Sequence, residues 1–281
     1  MNANTLNRMA KKIFPKKLYG VVRTMYFGSV HWMNGIRYKG KRYFCPCCGQ
    51  HLSQFVDFNY KGKRYNQTMY EATYRQVICP CCQSLPRQRM VTQYLSGYVE
   101  KIRGAKILVF APSNSEAMWF RRNKIAYTSA DLFEYADLKL DIQNMELEDE
   151  SYDIVLCNHV LEHVLDYDRA LKELHRIIRK NGFLQIAVPQ REDLMVTPAT
   201  LHGEACEENK ILYGQEDHLR IFGMDFEFML RARGFVIEAV EAGTMPESIK
   251  AVVGPALYDY NRLYICHRNN NGKNQGNGDR I

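Results

Sequence analysis

Two short segments, CPCCGQ from Cys45 and CPCCQS from Cys79, hold the residue types with the plainest chemistry in this 281-residue chain. Cys45/Cys48 and Cys79/Cys82 make two CxxC pairs with 30 residues between Cys48 and Cys79. Four thiolates presented in pairs suit a tetrahedral ion, and Zn2+ accepts that geometry without an electronic preference of its own. The spacing, with proline at the second position, favours the outer cysteines of each knuckle and leaves the roles of Cys47 and Cys81 open. Four protein ligands fill the coordination sphere, so the expected role is structural, with metal binding supplying on the order of 10 kcal/mol of folding energy. Six of the nine cysteines cluster in this way, which indicates metal ligation in a reducing, cytoplasmic setting rather than a disulfide framework.

A second set of chemical residues ends apolar runs. The stretch KILVFAPSNSE, residues 106–116, runs from a buried-looking strand into a helix start, where a nucleotide-binding α/β domain carries a glycine-rich loop; here there is no glycine. Asp131 follows Ala111 by 20 residues, the interval at which a carboxylate accepts both hydroxyls of a ribose. Asp141 ends the next short run, in reach of an adenine amine, and Asn158 ends YDIVLCN, where a methyl or hydride donor would lie.

These residues need a sheet to bring them together. ILVFA reads as a central parallel strand, IAYTSAD and LKLD as its neighbours, and YDIVLCN and FLQIAVP as two more. Between them SNSEAMWFRRN starts a helix with capping-box spacing from Ser113 to Glu116. DRALKELHRIIRK sets Leu171, Leu174, Ile177 and Ile178 on one helical face, with a stop expected at Asn181-Gly182. MDFEFMLRARG reads as a helix before the strand FVIEAVE, and RLYICHR closes the sheet. Strands alternating with helices predict a doubly wound, mostly parallel α/β sheet. The segment YKGKRY occurs at 38–43 and again at 60–65, and its Lys-Gly pair predicts a hairpin turn in each copy.

The middle of the chain, LKLDIQNMELEDESYDIVLCNHVLEHVLDYDRALKELHRIIRKNGFLQIAVP, resembles a class I S-adenosylmethionine-dependent methyltransferase of the broad type-11 group. CPCCQSLPRQRMVTQYL resembles the junction between a zinc knuckle and an arginine-rich helix found in a subgroup of those enzymes. The resemblance spans roughly residues 45 to 268. It implies a Rossmann-like methyltransferase domain with S-adenosylmethionine as cofactor, Asp131 on the ribose and Asp141 on the adenine. Ala111, Ser113 and Ser115 then replace the three glycines of the family's loop, with Pro112 between them, and Val109 replaces an acid that helps hold the donor's amino-acid end. Each replacement is small, but none takes a positive φ as glycine does. The same resemblance places the acceptor pocket after the fifth strand, in YGQEDHLRIFGMDF. That makes His218 the expected general base and Asp217 and Arg220 the acceptor's partners, with His159 in NHVLEH the second candidate base.

The implied reaction is methyl transfer, O-methylation of a small molecule or saccharide in particular, as in cell-surface polysaccharide synthesis. Two alternatives stand beside it: an RNA methyltransferase using the basic zinc module to hold RNA, a less favoured partner, and a non-catalytic zinc-ribbon adaptor with a degenerate methyltransferase fold. The charge distribution bears on the first, because residues 1–70 carry thirteen lysines and arginines against one acid, Asp57, for a net +12, and the remainder is net −5. The expected organisation is a basic amphipathic leader (1–36), a four-cysteine zinc ribbon (37–86), the methyltransferase domain (87–268) and a disordered polar tail (269–281). The best apolar stretch, Leu18 to Ile36, is broken by Arg23, His31 and three glycines, so residues 8–36 suit a peripheral membrane contact and not a span.

Overall fold

The computed structural model describes residues 28–29, 31–63, 69–132, 136–246 and 262–268. Most of the basic leader, and with it most of the expected membrane contact, lies outside the described residues, as does the tail from residue 269. Residues 31–37 are helical and expose Trp32, Met33 and Ile36. Among the described residues no helix is long and apolar enough to cross a membrane.

The cysteine module consists of two antiparallel ribbons, β1 (Lys39–Cys45) with β2 (Gln50–Leu52), and β3 (Val56–Lys63) with β4 (Met69–Ile78). The first knuckle is the β1–β2 turn, closed by Gly49 N–H donating to Cys45 O at 2.7 Å with Gly49 at φ +72°. YKGKRY does not form the turns expected of it: the first copy runs along β1, and residues 60–63 of the second run along β3. Gly40 is needed there for closeness rather than for turning, because a Cβ on it would lie 2.4 Å from the Ser53 backbone.

The body begins with α1 (Pro86–Ser96) and the single turn α2 (Val99–Ile102). It continues through β5 (Ile107–Phe110), α3 (Asn114–Arg122), β6 (Thr128–Asp131), β7 (Leu138–Lys139) and β8 (Tyr152–Asn158). Then come α4 (Tyr167–Ile177), β9 (Ile178–Ala187), α5 (Glu207–Tyr213), α6 (Phe226–Ala232), β10 (Phe235–Glu241) and β11 (Arg262–Arg268). Seven strands form one sheet in the order β10-β11-β9-β8-β5-β6-β7. All pairings from β7 to β9 are parallel, and β11 is antiparallel to both β9 and β10. RLYICHR therefore does not form the edge: it is inserted between the two strands that precede it in sequence.

Alternate residues of the central strands feed two cores, which is why these strands read as unbroken apolar runs. Leu108, Phe110, Val155 and Leu184 pack with Leu171, Leu174, Ile177 and Phe226 on one face. Ile107, Val109, Ile154 and Leu156 pack with Met90, Val91, Trp119 and Phe120 on the other. Helix α4 stops at Ile177, earlier than expected, and Asn181-Gly182 lies inside β9. A Cβ on Gly182 would meet Asp153 O at 2.3 Å, so at this glycine β9 runs too close to β8 for a side chain. The chain builds β5 to β7 outward in one direction and then returns to β8 and β9 in the other. The reversal lies between β5 and β8, and a doubly wound sheet opens a crevice at the carboxyl ends of its strands at that point.

Candidate donor cleft and zinc cluster

At that reversal a cavity of about 220 Å3 is lined by Arg87, Gln88, Val91, Ala111, Ser113, Glu116, Asn158, His159 and Ala187. The β5–α3 loop forms one wall. Ala111 takes φ +43°, the glycine-like conformation that its side chain disfavours, and its N–H donates to Ala130 O at 2.8 Å. Ser113 caps α3: its Oγ accepts from Glu116 N–H at 3.2 Å, and its own N–H donates back to Glu116 Oε2 at 2.9 Å. Glu116 is 6 % exposed, so the loop without glycine brings a buried carboxylate into the cleft.

Asn158 is held by a reciprocal pair with the fully buried Gln185, each amide donating to the other's oxygen at 2.7 Å. His159 follows at φ +54°, a strained setting of the kind that recurs at functional sites. Its Nδ1 lies 3.2 Å from Glu162 Oε1. A carboxylate at this distance accepts, so Nδ1 carries the proton and Nε2 holds the lone pair. Burial pushes the Glu162 carboxyl up, but the His159 hydrogen bond, with the nearby His159 and His218 rings, brings it below the usual carboxylate range.

Of the cofactor residues expected from the sequence, Ala111, Ser113 and Asn158 line this cavity, and Asp131 and Asp141 stand elsewhere on the same sheet edge. Asp131 is half-buried at the end of β6, and Asp141 is exposed with Oδ1 accepting from Gln143 N–H at 2.9 Å. Pro112 is half-buried in the loop. His218 is buried, its Nδ1 held by Tyr213 O at 3.1 Å, and burial draws it below the usual imidazole range against the pull of Glu162. Asp217 is exposed beside His163. Arg220 is 2 % exposed, stacks on Tyr167, and donates to the carbonyls of Leu161, Val164 and Leu165 and to Thr200 Oγ1. Its visible work is to pin the turn that carries Glu162. Glu116, Glu162, Arg87 and Gln88 were not singled out in the sequence as site residues. Glu116 there accounts fully for a capping box, and only the docking of α1 brings Arg87 and Gln88 to the cleft.

The structure gathers Cys45, Cys48, Cys79 and Cys82, all buried, into one cluster. Their Sγ atoms approach to 3.6 Å for Cys45–Cys82 and 3.8 Å for Cys48–Cys79. Thiolates about 2.3 Å from a tetrahedral zinc stand roughly 3.8 Å apart. The donor set and its spacing therefore fit a structural Zn2+. Cys47 turns away to Thr92 Oγ1 of α1 at 3.2 Å.

Residues 97–186 match a family described as a methyltransferase domain. With the seven-stranded sheet, that match gives the α/β body the fold of a methyltransferase domain. An uncharacterized protein of Methanocaldococcus jannaschii is 38 % identical over 55 residues, which are 20 % of this chain and 24 % of that one. The chain thus matches about a quarter of that curated relative's length. Solved structures of similar fold include the 1,6-didemethyltoxoflavin-N1-methyltransferase of Burkholderia thailandensis, at 14 % identity and TM-score 0.44, covering 66 % of this chain and 77 % of that one. An S-adenosylmethionine-dependent methyltransferase of Mesorhizobium loti is 14 % identical at TM-score 0.46, covering 63 % and 96 %.

Proposed function

We propose that this chain transfers the methyl group of S-adenosylmethionine to a hydroxyl of a small-molecule or saccharide acceptor. The observation that carries this reading is the cleft at the β5/β8 reversal, where Arg87 and Glu116 supply opposite charges among the small residues Ala111, Ser113 and Ala187. The donor's methionine end is a zwitterion. Arg87 takes its carboxylate and Glu116 its ammonium, so that Glu116 replaces the acid lost at Val109. Asp131 holds the ribose and Asp141 the adenine. Bound in this way, the donor supplies a methyl carbon activated by the adjoining sulfonium. His159, oriented by Glu162, takes the acceptor's proton on Nε2 as the acceptor oxygen bonds to that carbon and the carbon–sulfur pair returns to sulfur. His218 is the second candidate for that proton.

Titration calorimetry with S-adenosylmethionine and S-adenosylhomocysteine tests the reading. Micromolar binding is expected for the zinc-loaded wild type, weakened at least tenfold in Glu116→Gln and in Asp131→Ala. No binding by the folded wild type would overturn it in favour of the non-catalytic adaptor. An RNA acceptor is the second reading, supported by the exposed Arg37, Lys39, Lys41 and Arg42 at the start of the cysteine module. It requires an affinity for RNA that falls steeply with salt.

A further inference from the structure

Beside the cleft, the turn at Leu161–His163 holds a carboxylate of which the orienting of His159 uses only one oxygen. Glu162 is 1 % exposed, and its two carboxylate oxygens have different surroundings. Oε1 accepts from His159, whereas Oε2 is buried with no hydrogen-bond partner among the described residues. Buried carboxylate oxygens are rarely left unsatisfied, because the cost of desolvating them goes uncompensated.

Two imidazoles share its surroundings. One ligand atom each from Glu162, His163 and His218 lies within 4.8 Å of the others. His218 Nδ1 is 3.1 Å from Tyr213 O, and His163 Nδ1 is 3.0 Å from Asp217 O. A carbonyl only accepts, so in both rings Nδ1 carries the proton and Nε2 is left with a lone pair. Metal-binding histidines are anchored in this way, with the outer N–H on a carbonyl or carboxylate and the inner nitrogen presented to the ion. The rings meet edge to face with centroids 4.8 Å apart. The two segments are locked together: Leu219 N–H donates to Glu162 O at 2.7 Å, and Arg220 clamps the carbonyls on either side. The His163 side chain is 34 % exposed, so the cluster is open on one side.

We propose that Glu162, His163 and His218 form a binding site for a divalent cation of the Mn2+ or Fe2+ kind. Two imidazoles and one carboxylate, with coordination positions left open, suit such ions, whereas the thiolate cluster selects zinc. Ligand atoms about 2.1 Å from an ion stand roughly 3 Å apart, so the cation draws the three groups together. This site shares Glu162 and His218 with the methyl-transfer reading but rests on its own observations. Where both hold, the ion shares Glu162 with His159 and acidifies a hydroxyl bound in its open position.

The test is a Mn2+ titration of the full-length, zinc-loaded protein, with free Mn2+ read from its electron paramagnetic resonance signal. The expected result is one Mn2+ per chain, bound at least tenfold more weakly in Glu162→Gln and in His163→Ala. His163 is partly exposed, so its variant keeps the test sound should the buried substitution impair folding. No stoichiometric Mn2+ on the folded wild type, or affinity within threefold of wild type in His163→Ala, would overturn the proposal. S-adenosylhomocysteine titration of the wild type reads the donor cleft separately. Its failure alongside intact Mn2+ binding would overturn the methyl-transfer reading and leave the cation site standing.

Discussion

Ala111 occupies a conformation that glycine adopts freely. At φ +43° its methyl group crowds the backbone, and a non-glycine residue held there costs on the order of 1 to 3 kcal/mol. Glycine would remove that strain but add about 0.5 to 1 kcal/mol of conformational entropy to the unfolded chain's advantage. Relief of strain is the larger effect, so Ala111→Gly should stabilise the protein by about 1 kcal/mol, read as a higher urea midpoint at unchanged slope. An equal or lower midpoint would mean that the neighbouring β5 and β6 backbone relaxes the alanine without cost. The same comparison bears on the donor. Ala111 N–H is committed to Ala130 O, and Ser113 N–H to Glu116, so these donors already have partners in the fold. The loop's contribution to the cleft is a wall of small side chains with one carboxylate, in place of a ring of open backbone donors.

The elements show which parts of this arrangement a sequence can carry. Central strands were legible because burial on both faces writes itself as runs such as ILVF and IVLC, and α3 because Ser113 and Glu116 cap it. The α4 stop was misplaced because Asn-Gly signals both a helix end and a tight approach, and only the neighbouring strand distinguishes the two. Gly182→Ala tests that distinction. Its Cβ would lie 2.3 Å from Asp153 O, a backbone atom that cannot swing aside, so a loss of about 2 to 3 kcal/mol in urea unfolding is expected. Gly97→Ala, at φ −70° with the nearest atom at 3.4 Å, should be close to neutral. Equal effects at the two glycines would contradict the packing account. Glu162 escaped the sequence reading for a related reason: HVLEHV does not say which way its acid points, and the contacts that hold it inward come from His159 and from the distant Leu219 and Arg220. The zinc ligands were legible as spacing, since two CxxC turns need only come together once.

Across the whole molecule, the zinc cluster and the donor cleft share one helix. Helix α1 sends Arg87 and Gln88 into the cleft, and its next residue, the fully buried Arg89, donates to Val77 O at 2.9 Å and Ser84 O at 2.7 Å in the cysteine module. Cys47 meets Thr92 of the same helix, and Arg122 of α3 donates to Pro46 O at 2.8 Å on the first knuckle. The sheet's two cores are built from its own strands and helices, α1 among them through Met90, Val91 and Leu95, and take nothing from the cysteine module. Zinc binding supplies folding energy that a small module with little core cannot replace. Loss of the metal should therefore melt the cysteine module and free the first turn of α1, which carries Arg87 and Gln88, while Met90, Val91 and Leu95 keep the rest of the helix on the sheet and β5 to β9 folded. The expected consequence is a loss of at least tenfold in S-adenosylhomocysteine affinity in a Cys79→Ser/Cys82→Ser variant, with most of the helical circular dichroism kept. Unchanged affinity in a variant that has lost its zinc would assign donor binding to the sheet alone. Arg87 would then have no part in it, and the module's reason for docking would have to be sought on its basic outer face.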